Sequence, residues 1–226
     1  MEIFMAESGV AGEGDKYDRM RMDALRVREI IEPAINIKGA CCFYDELELA
    51  APGVHGGQLL KVCGHEIRCT AFEQIDPSSV EGVYFYAVTA GDFSLPLHPD
   101  GQLGQPPIMD QLYADIWGTA FTDAAREMLM DELRKADGGH IAADRLSDSF
   151  GPGFYGMDTG EMQKMPELVD FESIGMKVTE SSMLLPLKSC AGILFKVNEK
   201  YTPLDGACEL CLGNKRTCSL CRAQHG

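Results

Sequence analysis

The sequence has no run of about 18 apolar residues, so no segment is expected to cross a membrane as a helix. Its first residues, MEIFMAESGVAGEGDKYDRM, lack a basic stretch followed by an apolar one, which argues against a signal peptide. Basic residues are scarce: 20 Lys and Arg stand against 35 Asp and Glu, for a net charge of −15. Such a surface repels phosphate backbones and anionic lipid, so neither nucleic acid nor a membrane is an expected partner. No internal repeat or low-complexity tract is visible. These absences leave a cytoplasmic globular protein as the expectation.

The composition supports that class. Hydrophobic residues make up 45% and charged residues 24% of 226, enough to bury a core without disulfides. Nine cysteines are present. Five of them (Cys41, Cys42, Cys63, Cys69 and Cys190) sit in apolar surroundings and read as small buried hydrophobes.

The other four form CELCLGNKRTCSLC, or C-x2-C-x6-C-x2-C, with Cys208, Cys211, Cys218 and Cys221. Two C-x2-C hooks let two pairs of sulfurs converge, and four thiolates complete a tetrahedral shell. Lys215 and Arg216, between the hooks, offset part of the thiolate charge. A metal-binding tail is expected over 205–226. Structural zinc and an iron–sulfur cluster both use four cysteines, and both stay open.

Along the chain, residues 1–15 read as a flexible leader. Met20, Leu25, Ile30 and Ile31 recur near helical spacing and predict an amphipathic helix over 17–31, closed by Pro33. Residues 38–57 carry no assignable pattern. The segment QLLKVCGHEIRCTAF at 58–72 predicts two strands around Gly64. VYFYAVTAG at 83–91 reads as a strand buried on both faces. Residues 108–136 give the strongest helical stripe, through Leu112, Ile116, Ala120, Ala124, Met128 and others. A short helix is expected over Glu161–Phe171, and strands over Met176–Val178 and Gly192–Val197. The order is α+β rather than alternating βα units.

Three pieces then carry a specific likeness. Pro152-Gly153-Phe154 precedes the short helix. Gly175-Met176-Lys177-Val178-Thr179-Glu180-Ser181 follows it. Pro186 and Ser189-Cys190-Ala191-Gly192 lead into the last strand. In order and spacing this set resembles the S-adenosylmethionine-binding activation domain of vitamin B12-dependent methionine synthase, over about residues 80–200.

The resemblance implies a fold: one α+β domain over 16–204, with a central, mainly antiparallel twisted sheet flanked by helices, plus the Cys-rich tail. It also implies a site. An acidic residue of the long helix pairs with the ligand; Asp123 matches it, with Glu127 one turn later. Gly151 matches a backbone contact, and the turn Gly153, Phe154, Tyr155 and Gly156 surrounds it, Phe154 standing for the family's Tyr. Glu180 and Ser181 complete the set. The family's carboxylate-gripping Arg, three residues before the Pro of P-G-Y, is Ser149 here, and Arg145 is the nearest substitute in sequence.

The function implied is support of reductive methylation of a corrinoid protein or cobalamin-dependent methyltransferase. S-adenosylmethionine would be bound here, and cobalamin supplied by the partner. A flavodoxin, a ferredoxin or the tail itself would serve as electron donor. Whether the chain is itself an enzyme stays open, because in this chemistry the cobalt is the nucleophile. Two other readings compete. One is a corrinoid-docking or iron–sulfur electron-transfer partner that binds no S-adenosylmethionine. The other is an interaction protein with a structural zinc knuckle.

Overall fold

Two helices and eight strands are built by this sequence in a computed structural model that describes residues 14–50, 58–92, 108–136 and 145–204. They are α1 (Asp15–Ile31), β1 (Lys38–Tyr44), β2 (Leu47–Ala50), β3 (Gln58–Val62), β4 (His65–Cys69), β5 (Val80–Thr89), α2 (Ile108–Ala136), β6 (Lys177–Val178), β7 (Leu184–Leu185) and β8 (Ser189–Val197). The protein is α+β. The strands form three small antiparallel sheets, ordered β1-β5-β8, β2-β3-β4 and β6-β7, rather than one central sheet.

β5 is the middle strand of its sheet, which explains its near-continuous apolar run. Phe85 pairs with Cys42 on one side and Ile193 on the other. β1 and β2 fall within the stretch that carries no assignable pattern. β1 is an edge strand whose inward residues, Ala40, Cys42 and Tyr44, are only half-buried, so its alternation is faint.

Side chains alternate across a strand, so the β1-β5-β8 sheet has two distinct faces. On one, Phe85, Ile193 and Phe195 join Phe72 and Phe150 in the main core, all fully buried. The Phe72 ring meets those of Phe150 and Phe195 edge-on at 5.3 and 5.2 Å, a favourable aromatic geometry. β2, β3 and β4 and the 3-10 turns Thr70–Gln74 and Thr159–Glu167 cover this face. The second of those turns stands where a short helix is expected. Pro166 lies inside it and cannot donate to an α-helical ladder.

On the other face lies α2. Leu133 packs with Tyr86, Leu146 and Leu194, and Leu129 joins them. α1 packs against α2 through Ala24, Val27 and Ile31, around Tyr113 and Trp117. The Trp117 indole N–H donates to the Ala24 carbonyl at 2.7 Å. Among the described residues no helix is long and apolar enough to cross a membrane.

The buried-hydrophobe expectation for the five scattered cysteines holds only for Cys69. Cys41 points outward from the edge strand β1 and is exposed. Cys63 is exposed in the β3–β4 turn, at φ 48°, while Cys42 and Cys190 are half-buried. Residues 1–13 of the leader and the Cys-rich tail lie outside the described residues, while Asp15, read as the leader's end, begins α1.

Candidate functional site

One face of α2 carries Asp123, Arg126, Glu127, Met130, Asp131 and Arg134. Their spacing of three or four keeps them on one stripe. Opposite that stripe runs the segment 147–155. Between the two opens a cleft of about 600 Å³, floored by Tyr86, Cys190 and Ala191. Ligand clefts typically span about 300–1,000 Å³.

The segment reaches this position by extending the sheet. Ser147 and Phe150 pair with β8: the Ser147 N–H donates to the Phe195 carbonyl at 3.0 Å, and Phe150 and Ile193 exchange bonds at 2.9 and 2.7 Å. Gly192 makes the close approach possible. A Cβ there would lie 2.5 Å from the Phe150 carbonyl oxygen and 2.8 Å from the Tyr86 hydroxyl. The Ser-x-x-Gly step is thus a packing requirement of this fold.

After Phe150 the chain turns sharply. Phe154 N–H donates to the Gly151 carbonyl at 2.8 Å, and Gly153 N–H to the Met157 carbonyl at 3.0 Å. Gly153, Tyr155 and Gly156 all take positive φ (91°, 55° and 77°). Glycine bears such a backbone at little cost, and Tyr155 is held in it by its neighbours. Its carbonyl accepts from Ala71 N–H at 3.2 Å, and its ring meets Phe150 edge-on at 5.1 Å. At Gly156 a Cβ would also strike the Thr70 side chain at 2.7 Å. The turn is therefore pinned to the 3-10 turn after β4.

Electrostatically the cleft is mixed. Asp123, Glu127 and Asp131 share the α2 wall with Arg126 and Arg134, and Asp148 lies opposite. Asp148 already serves the scaffold, since its carboxylate accepts from Leu204 N–H at 3.2 Å and from the Tyr201 hydroxyl at 3.4 Å. Arg134 is bound to Asp131 at 2.8 Å. Asp123 and Arg126 are looser, at 3.7 Å. On the floor the Tyr86 and Ser149 hydroxyls lie 2.6 Å apart. Burial pushes the Tyr86 hydroxyl well above the usual tyrosine range, and the charge of Cys190 adds to the rise, while Ser149 and Arg126 oppose it. Burial likewise pushes the Cys190 thiol up to about 12, so it is a poor nucleophile at neutral pH.

Of the residues placed by the resemblance, Asp123, Glu127, Ser149, Gly151, Phe154 and Tyr155 line this one cleft. Gly153 and Gly156 shape its turn without lining it. Glu180 and Ser181 do not join it. They sit in the β6–β7 turn, where Thr179 Oγ1 accepts from Met183 N–H and lies 3.0 Å from Ser181 Oγ. Gln163 clamps this turn by donating to the Thr179 carbonyl at 2.7 Å. The Thr-Glu-Ser motif is here a hydrogen-bonded strand-end turn.

Sequence reasoning missed Tyr86, Arg126, Arg134 and Ser147. Arg126 and Arg134 were findable, since they fall on the stripe that Asp123 and Glu127 define. Arg145 does not line the cleft. Cys208, Cys211, Cys218 and Cys221 lie outside the described residues, and among the described residues no cluster of His, Cys, Asp or Glu could hold a metal. Compared with models of known protein families the chain matches none, and no curated protein is significantly similar to it.

Proposed function

We propose that this chain binds S-adenosylmethionine in the α2 cleft and supports reductive methylation of a separate corrinoid protein, in the manner of the methionine synthase activation domain. One observation carries the reading: residues singled out from two distant parts of the sequence, Asp123 and Glu127 on α2 and Ser149, Gly151, Phe154 and Tyr155 after it, meet in a single cleft of ligand size.

The residues fit such a ligand chemically. Asp123 and Glu127 supply carboxylates for an ammonium or sulfonium group. The Gly-rich turn offers backbone without side chains in the way. The largely buried floor of Tyr86, Cys190 and Ala191 excludes part of the water, which strengthens each of these contacts. When bound, S-adenosylmethionine supplies an electrophilic methyl group to reduced cobalt held by a partner protein. The chain's own part is to hold and orient, and such positioning accounts for much of the rate in a reaction of this kind. An iron–sulfur cluster in the tail would let the same chain pass the electron, with a flavodoxin or ferredoxin upstream. Zinc there would make the tail structural.

A second reading has its own support. Ser149 is engaged by Tyr86 and brings no positive charge. A corrinoid-docking or electron-transfer partner without S-adenosylmethionine would need none.

Calorimetric titration of anaerobically purified protein with S-adenosylmethionine separates the two. Micromolar binding is expected, and Asp123→Ala should weaken it at least tenfold while leaving the unfolding midpoint in place. Equal affinity in that variant would remove Asp123 from the site. Heat-silent titration to millimolar ligand, with no protection against thermal unfolding, would favour the second reading.

A further inference from the structure

We infer that Arg126 is the carboxylate-binding residue of the cleft, and that with Asp123 it selects ligands ending in an α-amino acid group. The inference rests on the S-adenosylmethionine reading above and names the residues that would hold one end of that ligand.

The two cationic side chains of the cleft are not equivalent. Arg134 is committed to Asp131 at 2.8 Å. Arg126 is held more loosely: its ion pair with Asp123 is 3.7 Å, beyond a hydrogen bond, and its other neighbour is the neutral Tyr86 hydroxyl. Its Nε, like that of Arg134, is shielded from solvent and has no hydrogen-bond partner among the described residues, so the two differ in how firmly the rest of the guanidinium is held. A buried donor without an acceptor is costly, so a ligand oxygen arriving there is strongly favoured. Arg126 stands beside the Tyr86–Ser149 pair and Cys190 on the inner wall. The loop position that lacks an arginine, Ser149, therefore faces an arginine supplied by the helix.

The surrounding charge decides which anion fits. A guanidinium fork matches both carboxylate and phosphate. Here Asp123, Glu127, Asp131 and Asp148 share the cleft. Four carboxylates oppose a dianionic phosphate far more than a single carboxylate that carries its own cation alongside. Asp123, three residues before Arg126 on the same helix face, is placed for that cation. A zwitterion satisfies both side chains together and an isolated anion satisfies only one.

The test is a cycle of two proteins and two ligands by calorimetry, using S-adenosylmethionine and its decarboxylated form. Arg126→Gln should weaken S-adenosylmethionine by about one to two decades, the worth of a charge-assisted contact. Decarboxylated S-adenosylmethionine should bind wild type and variant alike. Arg126→Lys, which keeps the charge and loses the fork, should fall between them, and it serves the same comparison if Arg126→Gln does not fold. Equal loss for both ligands would show a merely structural role and overturn the assignment. So would a wild type that binds the two ligands equally well, and in both cases the S-adenosylmethionine reading would stand. A wild type that binds neither ligand would overturn that reading and this assignment together.

Discussion

The two faces of the β1-β5-β8 sheet are made by neighbouring residues and could hardly differ more. Phe85 and Tyr86 are adjacent, as are Leu194 and Phe195, yet each pair splits between a dry face and a wet one. The dry face closes on Phe72, Phe85, Phe150, Ile193 and Phe195 with no solvent contact. The wet face closes where Leu133 of α2 meets Tyr86, Leu146 and Leu194, and opens into the cleft beside them. There Tyr86, Ser149, Arg126 and Asp123 keep polar atoms around a cavity that side chains could have filled. The dry face is what a fold of this size needs for stability. The wet face departs from that economy, which is where a ligand site is expected.

The sharpest way to test that division is to damage the dry face. Phe195→Ala removes a fully buried ring from the middle of the aromatic cluster. A loss of about 3–5 kcal/mol in unfolding free energy is expected. Phe154→Ala, on a cleft residue that is 66% exposed, should stay within about 0.5 kcal/mol of wild type. Urea denaturation of the two variants side by side measures both. Comparable losses would erase the distinction between the faces.

The same division explains what the sequence made legible. α2 and β5 announce themselves because each buries a long, regular pattern. The pair of strands around Gly64 is marked by its turn, where Gly64 takes φ 78°. β1 stays hidden because an edge strand with half-buried inward residues writes only a weak alternation. The cleft residues on the loop side were found through their motif and those on the helix side only in part. Asp123 and Glu127 came with the resemblance, whereas Arg126 needed the geometry to show that it shares their cleft. Glu180 and Ser181 misled for a physical reason. Thr, Glu and Ser in a row suit a ligand and a tight turn equally, and Gln163 fixes the turn.

A smaller effect should come from the boundary between the faces. Gly192→Ala places a methyl 2.5 Å from the Phe150 carbonyl oxygen and 2.8 Å from the Tyr86 hydroxyl. The backbone there needs no positive φ, so the cost is one of crowding alone. Overpacking of this kind costs about 1–3 kcal/mol. The strand and the 147–150 segment must move apart, so Asp148 and Ser149 shift with the cleft wall. The variant should lose affinity for S-adenosylmethionine along with stability, whereas a variant destabilised on the dry face but still folded should keep its affinity. Intact binding in Gly192→Ala would mean that the wall is not held by its pairing to β8.

The smallest predicted effect is the most specific to the wet face. Tyr86→Phe deletes one hydroxyl and its 2.6 Å bond to Ser149. Near neutral pH this should cost about 1 kcal/mol, the net worth of one hydrogen bond. Its pH dependence carries the information. The folded protein raises the Tyr86 pKa above the ordinary 10.0, mainly through burial. A raised folded pKa gives stability that is complete below the unfolded value and is lost as pH climbs through 10 toward the folded value. Phenylalanine does not ionise and loses nothing. The gap between wild type and Tyr86→Phe should therefore be constant from pH 7 to 9, then shrink above pH 10 and change sign if the fold survives that far. The comparison is made in a Cys190→Ser background, because the Cys190 charge acts on Tyr86. Cys69 and Tyr201, whose pKa values burial raises to about 11 and 12, weaken the fold over the same alkaline range, but equally in both proteins. Taking the difference removes them. A gap that stays flat through pH 10.5 would mean that the Tyr86 hydroxyl ionises as freely as in water, and that this floor of the cleft is open to solvent.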